Sequence, residues 1–178
     1  MSLKNLAVAA LAVLALGGCA SGIQRVSTEP VPAHAILTPE AQAASLSISL
    51  SPQAQKQLGD NLKFNQDQLL ATVKRAMEAN NLLAKDGGTS TLRVEILVKD
   101  IRVRSNFTAV MFGIMAGTDS LLGDVIVKDA SGRELHRFSV STSYGLGGLA
   151  GGQDDVRMNW MYEKFAEHTV NELTGKKN

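Results

Sequence analysis

Ser45-Leu46-Ser47-Ile48-Ser49-Leu50 alternates strictly between polar and apolar positions. That period of two predicts a strand with Leu46, Ile48 and Leu50 on its buried face. Residues 51–64 are polar and contain Pro52 and Gly59, so they read as a connection. The period then lengthens. Leu69, Leu70, Val73, Ala76, Met77 and Leu83 form a helical stripe, with Asn65 as N-cap and Gln68 at the capping-box position. Lys85-Asp86-Gly87-Gly88 is the predicted stop.

Alternation returns from Thr91 to Arg104. Leu92, Val94, Ile96 and Val98 share one face, whereas Ile101 and Val103 continue in the opposite phase. The odd step predicts a bulge near Lys99-Asp100. Leu121 to Asp129 is a further strand, with Leu121, Val125 and Val127 in phase. Asp129-Ala130-Ser131-Gly132 is a hairpin turn, and Glu134 to Tyr144 pairs back through Phe138, Val140, Thr142 and Tyr144. A last helix is capped by Asp154 or Asp155. Its stripe runs through Trp160 or Met161, Phe165, Thr169 and Leu173, widened by Met158, Tyr162, Ala166 and Val170.

The predicted order is β-α-β-β-β-α, a two-layer α+β domain with two amphipathic helices on one face of a mostly antiparallel sheet. The other face would be solvated, carrying Ser45, Ser47, Ser49, Arg93, Glu95, Arg137, Ser139 and Ser141. At 178 residues the chain is long enough for one such domain plus tails.

The N-terminus follows different rules. Lys4 precedes an uncharged Leu/Ala/Val run from Leu6 to Leu16, and Gly17 and Gly18 follow. This is the layout of a secretory signal over residues 1–18, and the run is too short to span a bilayer. Leu16-Gly17-Gly18-Cys19 resembles the bacterial lipobox, and Cys19 is the only Cys of the chain. The resemblance implies cleavage before Cys19 and a diacylglyceryl thioether on its sulfur, with acyl chains as a stable membrane anchor. Ala20 follows where the inner-membrane retention signal would place Asp. That implies the outer membrane, facing the periplasm. Residues 19–44 begin with the Cys whose lipidation the resemblance implies, and their Pro30, Pro32 and Pro39 with no sustained apolar period predict a flexible tether. Residues 45–178 would then be the periplasmic domain.

Charge narrows the functions. Lys and Arg number 18 against 17 Asp and Glu. A chain so balanced lacks the basic stripe of a nucleic-acid binder. His34, His136 and His168 are scattered, which predicts no metal site, and His136 follows the inward phase of Phe138 as a packed histidine would. Ser139, Ser141 and Ser143 lack a nucleophile-elbow setting. Arg102 and Arg104 read as a solvated basic strand edge. Asn106-Phe107-Thr108 matches a glycosylation sequon for which a bacterial lipoprotein normally has no use. The expectation is a non-enzyme without cofactor.

Two segments stand out. Ala109 to Gly117 is uncharged and joins two strands. It reads either as packed core or as an exposed loop, in which Met111, Phe112, Ile114 and Met115 would touch a partner. Gly145 to Gly152 is glycine-rich, lacks a P-loop Lys, and reads as a hinge before the last helix.

Several of these features in one order resemble a family of uncharacterised bacterial lipoproteins defined by a domain of unknown function. They are Arg102/Arg104, Phe112-Gly113 with Gly117, Val125-Ile126-Val127, Asp129 to Leu135, and the Gly145–Gly152 loop. The element order is also similar to envelope lipoproteins of the YajG type. The resemblance implies location and fold, and carries no enzymatic activity. The expected role is a binding or accessory module for an unidentified envelope protein, with a homo-oligomer open through an unpaired sheet edge. The alternative is a carrier of lipid or of a small apolar ligand.

Overall fold

The computed structural model describes residues 21–25, 35–61, 63–85, 90–104, 117–145 and 154–176. Among these residues five strands form one sheet: β1 (Gly22–Arg25), β2 (Ala43–Leu50), β3 (Leu92–Arg102), β4 (Asp119–Lys128) and β5 (Glu134–Tyr144). Among the described residues three helices accompany it: α1 (Pro52–Gln57), α2 (Gln66–Ala79) and α3 (Asp154–Thr174). The strand order is β1-β5-β4-β3-β2, antiparallel except for the parallel β2/β3 pair. The α+β class and the mostly antiparallel sheet agree with the hydrophobic pattern.

Alternation fixes which face each strand buries. Val94, Ile96, Val98, Leu121, Val125, Val127, Phe138 and Val140 all lie in the core with Leu69, Val73, Met77, Met161, Phe165 and Leu173 of the helices. The phase change in β3 is a register shift between Val98 and Asp100. Gly123 sits in the inward phase of β4, and a Cβ there would lie 3.1 Å from the Phe165 ring. The missing side chain lets α3 seat closely on the sheet. The β4–β5 turn closes as the sequence predicts. The Asp129 carboxylate accepts from Ser131 N and Arg133 N, and Gly132 has φ 84°.

The departures are physical. Gly22–Arg25, expected within the tether, is β1, paired with β5 through Gly22↔Ser141 and Ile23↔Val140. Residues 35–42 are also docked: Leu37 is fully buried, and Ile36 N and Leu37 N donate to Leu173 O at 2.9 Å each. The polar connection after β2 contains α1, capped by Ser51, which accepts from Ala54 N. Helix α2 stops earlier than Lys85-Asp86-Gly87-Gly88. Asn80 is its C-cap, Asn81 takes φ 55°, and Leu83 bridges to Ala43. Its N-cap is half a capping box. Asn65 accepts from Gln68 N, but Gln68 Nε2 donates to Asn159 Oδ1, and Asn65 N donates instead to Tyr162 Oη.

Candidate functional site

Two groups of charged side chains are built into the domain, one inside and one on the open sheet face. The inner group lies where β3 ends, β4 begins, β5 ends and α3 begins. Asp119 occupies an inward position of β4 and is fully buried. Its Oδ1 accepts from Arg104 N at 2.7 Å and Arg104 Nε at 3.3 Å. Its Oδ2 accepts from an Arg104 terminal nitrogen at 3.2 Å and from Arg157 Nε at 2.9 Å. Arg157 also donates to Arg104 O at 3.0 Å and to the Asp154 carboxylate at 2.6 Å. Arg104 reaches Gly117 O at 2.7 Å and Tyr144 O at 3.1 Å. Two guanidiniums thus face two carboxylates, with Lys63 3.8 Å from Asp154 at the rim.

The solvated-edge reading of Arg104 is therefore corrected: Arg102 is exposed, but Arg104 is buried. The reason is that chain direction turns Arg104 toward Asp119, where desolvation is offset by several charge-assisted bonds. The chemistry of this group is positional. Both oxygens of Asp119 are occupied by donors from the same molecule, and the bonds tie Arg104, Gly117, Tyr144 and Asp154 together. Those residues are the ends of the segments 105–116 and 145–153.

The outer group centres on Asp124, which is also buried. Ser139 Oγ donates to it at 2.6 Å, Lys99 Nζ at 3.1 Å and Arg137 at 3.2 Å. Burial pushes the Asp124 carboxyl up, but the Ser139, Lys99 and Arg137 donors together hold it below the usual carboxylate range. Arg137 bridges onward to Glu134 at 2.7 Å, and that guanidinium lowers the Glu134 carboxyl. Lys128 and Glu95 pair at 2.6 Å beside it. Ser139, expected on a solvated face, is buried beneath this network. His136 does pack inward. Its ring lies 5.5 Å from Phe138, and Nε2 is 3.6 Å from Glu172 Oε1.

A groove of about 940 Å³ runs beside the outer edge of β2, lined by Ala44, Leu46, Leu70, Leu83, Lys74 and Glu78 among others. Among the described residues, no cluster of three His, Cys, Asp or Glu side chains could hold a metal ion. Cys19 and the contact residues Met111, Phe112, Ile114 and Met115 lie outside the described residues, as do His34, the sequon at 106–108 and most of the glycine-rich segment. Sequence reasoning missed the inner group. Its signal was a charge in a core phase: Asp119 shares the parity of Leu121, and Arg157 sits one turn before Met161.

Residues 35–148 match a family model described as a domain of unknown function, DUF4410. No curated protein matches the chain. A PelC dodecamer from Paraburkholderia phytofirmans is similar at 10% identity, over 89% of this chain and 100% of that one, with a TM-score of 0.51. A Xanthomonas campestris protein described under DUF330 shares 12% identity over 86% and 92%, with a TM-score of 0.50. An uncharacterized lipoprotein B from Nitrosomonas europaea is a looser likeness, 11% identical over 76% and 84% with a TM-score of 0.37. At such identities the first two likenesses show the fold alone.

Proposed function

The chain belongs to the DUF4410 family, and from that premise we propose that it is an outer-membrane lipoprotein presenting a periplasmic, non-catalytic binding or accessory module. The observation that carries this reading is Leu16-Gly17-Gly18-Cys19, with the only thiol of the chain at the position where lipidation needs one. The self-satisfied ion groups support a non-catalytic role. Their oxygens and guanidiniums are spent on holding strand and loop ends, as in a scaffold that displays segments. Met111, Phe112, Ile114 and Met115, between the clamped residues Arg104 and Gly117, are the proposed contact residues for an envelope partner. Self-assembly belongs to the same reading, since the similar Paraburkholderia protein is a dodecamer.

Metabolic labelling with an alkyne fatty acid, followed by membrane fractionation, tests the anchor. Label on the native chain in the outer-membrane fraction, absent from Cys19→Ala, is the expected result. An unlabelled native chain overturns it. A photo-reactive residue at position 112 reports the partner in the same cells: a reproducible protein adduct supports the contact role, and intrachain products alone count against it.

The groove beside β2 favours a second reading, a carrier of lipid or small apolar ligand. Its volume lies in the range of small-molecule sites, and Leu46, Leu70 and Leu83 give it apolar walls. Native mass spectra of the unacylated chain would then retain a ligand, and repeated ligand-free spectra would sink this alternative.

A further inference from the structure

We infer that the domain rests with one particular end against the lipid surface that holds Cys19, rather than standing away from it on a tether. The inference deepens the lipoprotein reading and rests on it. Ser21 lies only two positions after Cys19 and is already part of the fold: its Oγ accepts from Ser143 N at 3.1 Å. Gly22 follows in register with Ser141. Two residues of extended chain span at most about 7 Å. A thioether on Cys19 therefore has no slack with which to lift β1 from the headgroups.

Strand directions then decide which end faces down. β1 runs antiparallel to β5, so its first residues lie beside the last residues of β5, next to Tyr144. β4 is antiparallel to β5 and starts there, with Asp119 opposite Tyr144. β3 ends there, with Arg102 opposite Ser120. Helix α3 begins there through Asp154, tied to Arg157 and Lys63. The end that meets the bilayer therefore carries Lys63, Arg102, Gly117 and Tyr144. The β4–β5 turn at Asp129–Gly132 lies at the far end. Charge is not the attractive force: the exposed cations Lys63 and Arg102 are offset nearby by exposed Asp60 and Asp155. The covalent anchor and the short link set the orientation.

The test uses the full lipidated chain, in which Cys19 is blocked and an introduced thiol is the only reactive one. Lys63→Cys and Ser131→Cys are each labelled with a fluorophore and reconstituted into phosphatidylethanolamine/phosphatidylglycerol vesicles containing a headgroup-spin-labelled lipid quencher. Both positions are exposed, and matching circular dichroism checks that each variant folds. Quenching at position 63 several-fold stronger than at position 131 is the expected result. Equal quenching, or stronger quenching at 131, overturns the inference. The intact mass of the same sample separates the two claims. An unmodified mass overturns the lipoprotein reading and this orientation with it, whereas a lipid-modified mass without the positional difference overturns the orientation alone.

Discussion

Arg157 Nε donates to Asp119 Oδ2 at 2.9 Å, joining the first turns of α3 to the first residue of β4 inside the protein. Neither residue is accessible to water to any useful degree, with 1% and 0% of their side-chain surfaces exposed. Breaking such a pair leaves a buried charge without its counterpart, which typically costs about 3–5 kcal/mol. Asp119→Ala removes the carboxylate that two guanidiniums share, leaving Arg104 with carbonyl acceptors and Arg157 with Asp154. Urea unfolding of this variant should show a loss in that range, while Lys74→Ala, at an exposed α2 pair, should stay within about 0.5 kcal/mol. A loss below about 1 kcal/mol for Asp119→Ala would mean that the cluster relaxes or hydrates.

Tyr162 gives the protein an alkaline limit. Its side chain is buried against Phe64, with ring centroids 6.1 Å apart, and burial pushes its phenol up to about 12. The folded value lies above the unfolded one, so the stability linked to the neutral phenol is complete below pH ~10 and is lost as pH rises toward 12. Tyr162→Phe also deprives Asn65 N–H of its acceptor, costing about 1–2 kcal/mol at neutral pH. Denaturant midpoints of the two proteins from pH 8 to 12 should therefore converge above pH ~10. A constant gap over that window would show that Tyr162 ionises equally well folded and unfolded.

Gly123→Ala probes the seat of α3. The new methyl would meet Phe165 Cζ at 3.1 Å and Leu97 O at 3.4 Å. Overpacking of this kind costs about 1–3 kcal/mol. Combining it with Phe165→Leu should cost less than the sum of the separate changes, because the smaller side chain vacates the contested space. Strict additivity in thermal unfolding would place the strain somewhere other than this contact.

What the pattern of residues could reveal follows from how each element is stabilised. β2 was legible because Leu46, Ile48 and Leu50 alternate and pack against the core, and the bulge in β3 was legible because it inverts the phase between Val98 and Ile101. β1 was not, because Ile23 is the one large aliphatic residue in Gly22–Arg25 and its pairing partner Val140 lies far along the chain. α1 escaped for a similar reason, burying only Ala54 and owing its start to the Ser51 cap. Asp119 and Arg157 belong to core phases and Arg104 shares the outward phase of Arg102, but polar residue types ordinarily mark the outside. Only their mutual arrangement explains their burial, and no local window contains it.

β1 also constrains the order of events during folding. Ser21 and Ser143 meet across 122 positions of sequence. The β4–β5 hairpin can close on its own, through the turn at Asp129, long before the N-terminal strand has anything to join. β1 must wait for β5 to be made and ordered, so the earliest segment to emerge is among the last to be incorporated. Until then one flank of the sheet is a bare row of backbone donors and acceptors, open to another chain in the same condition. Annealing of this short N-terminal strand therefore ends the period in which the nascent protein is most exposed to wrong pairing.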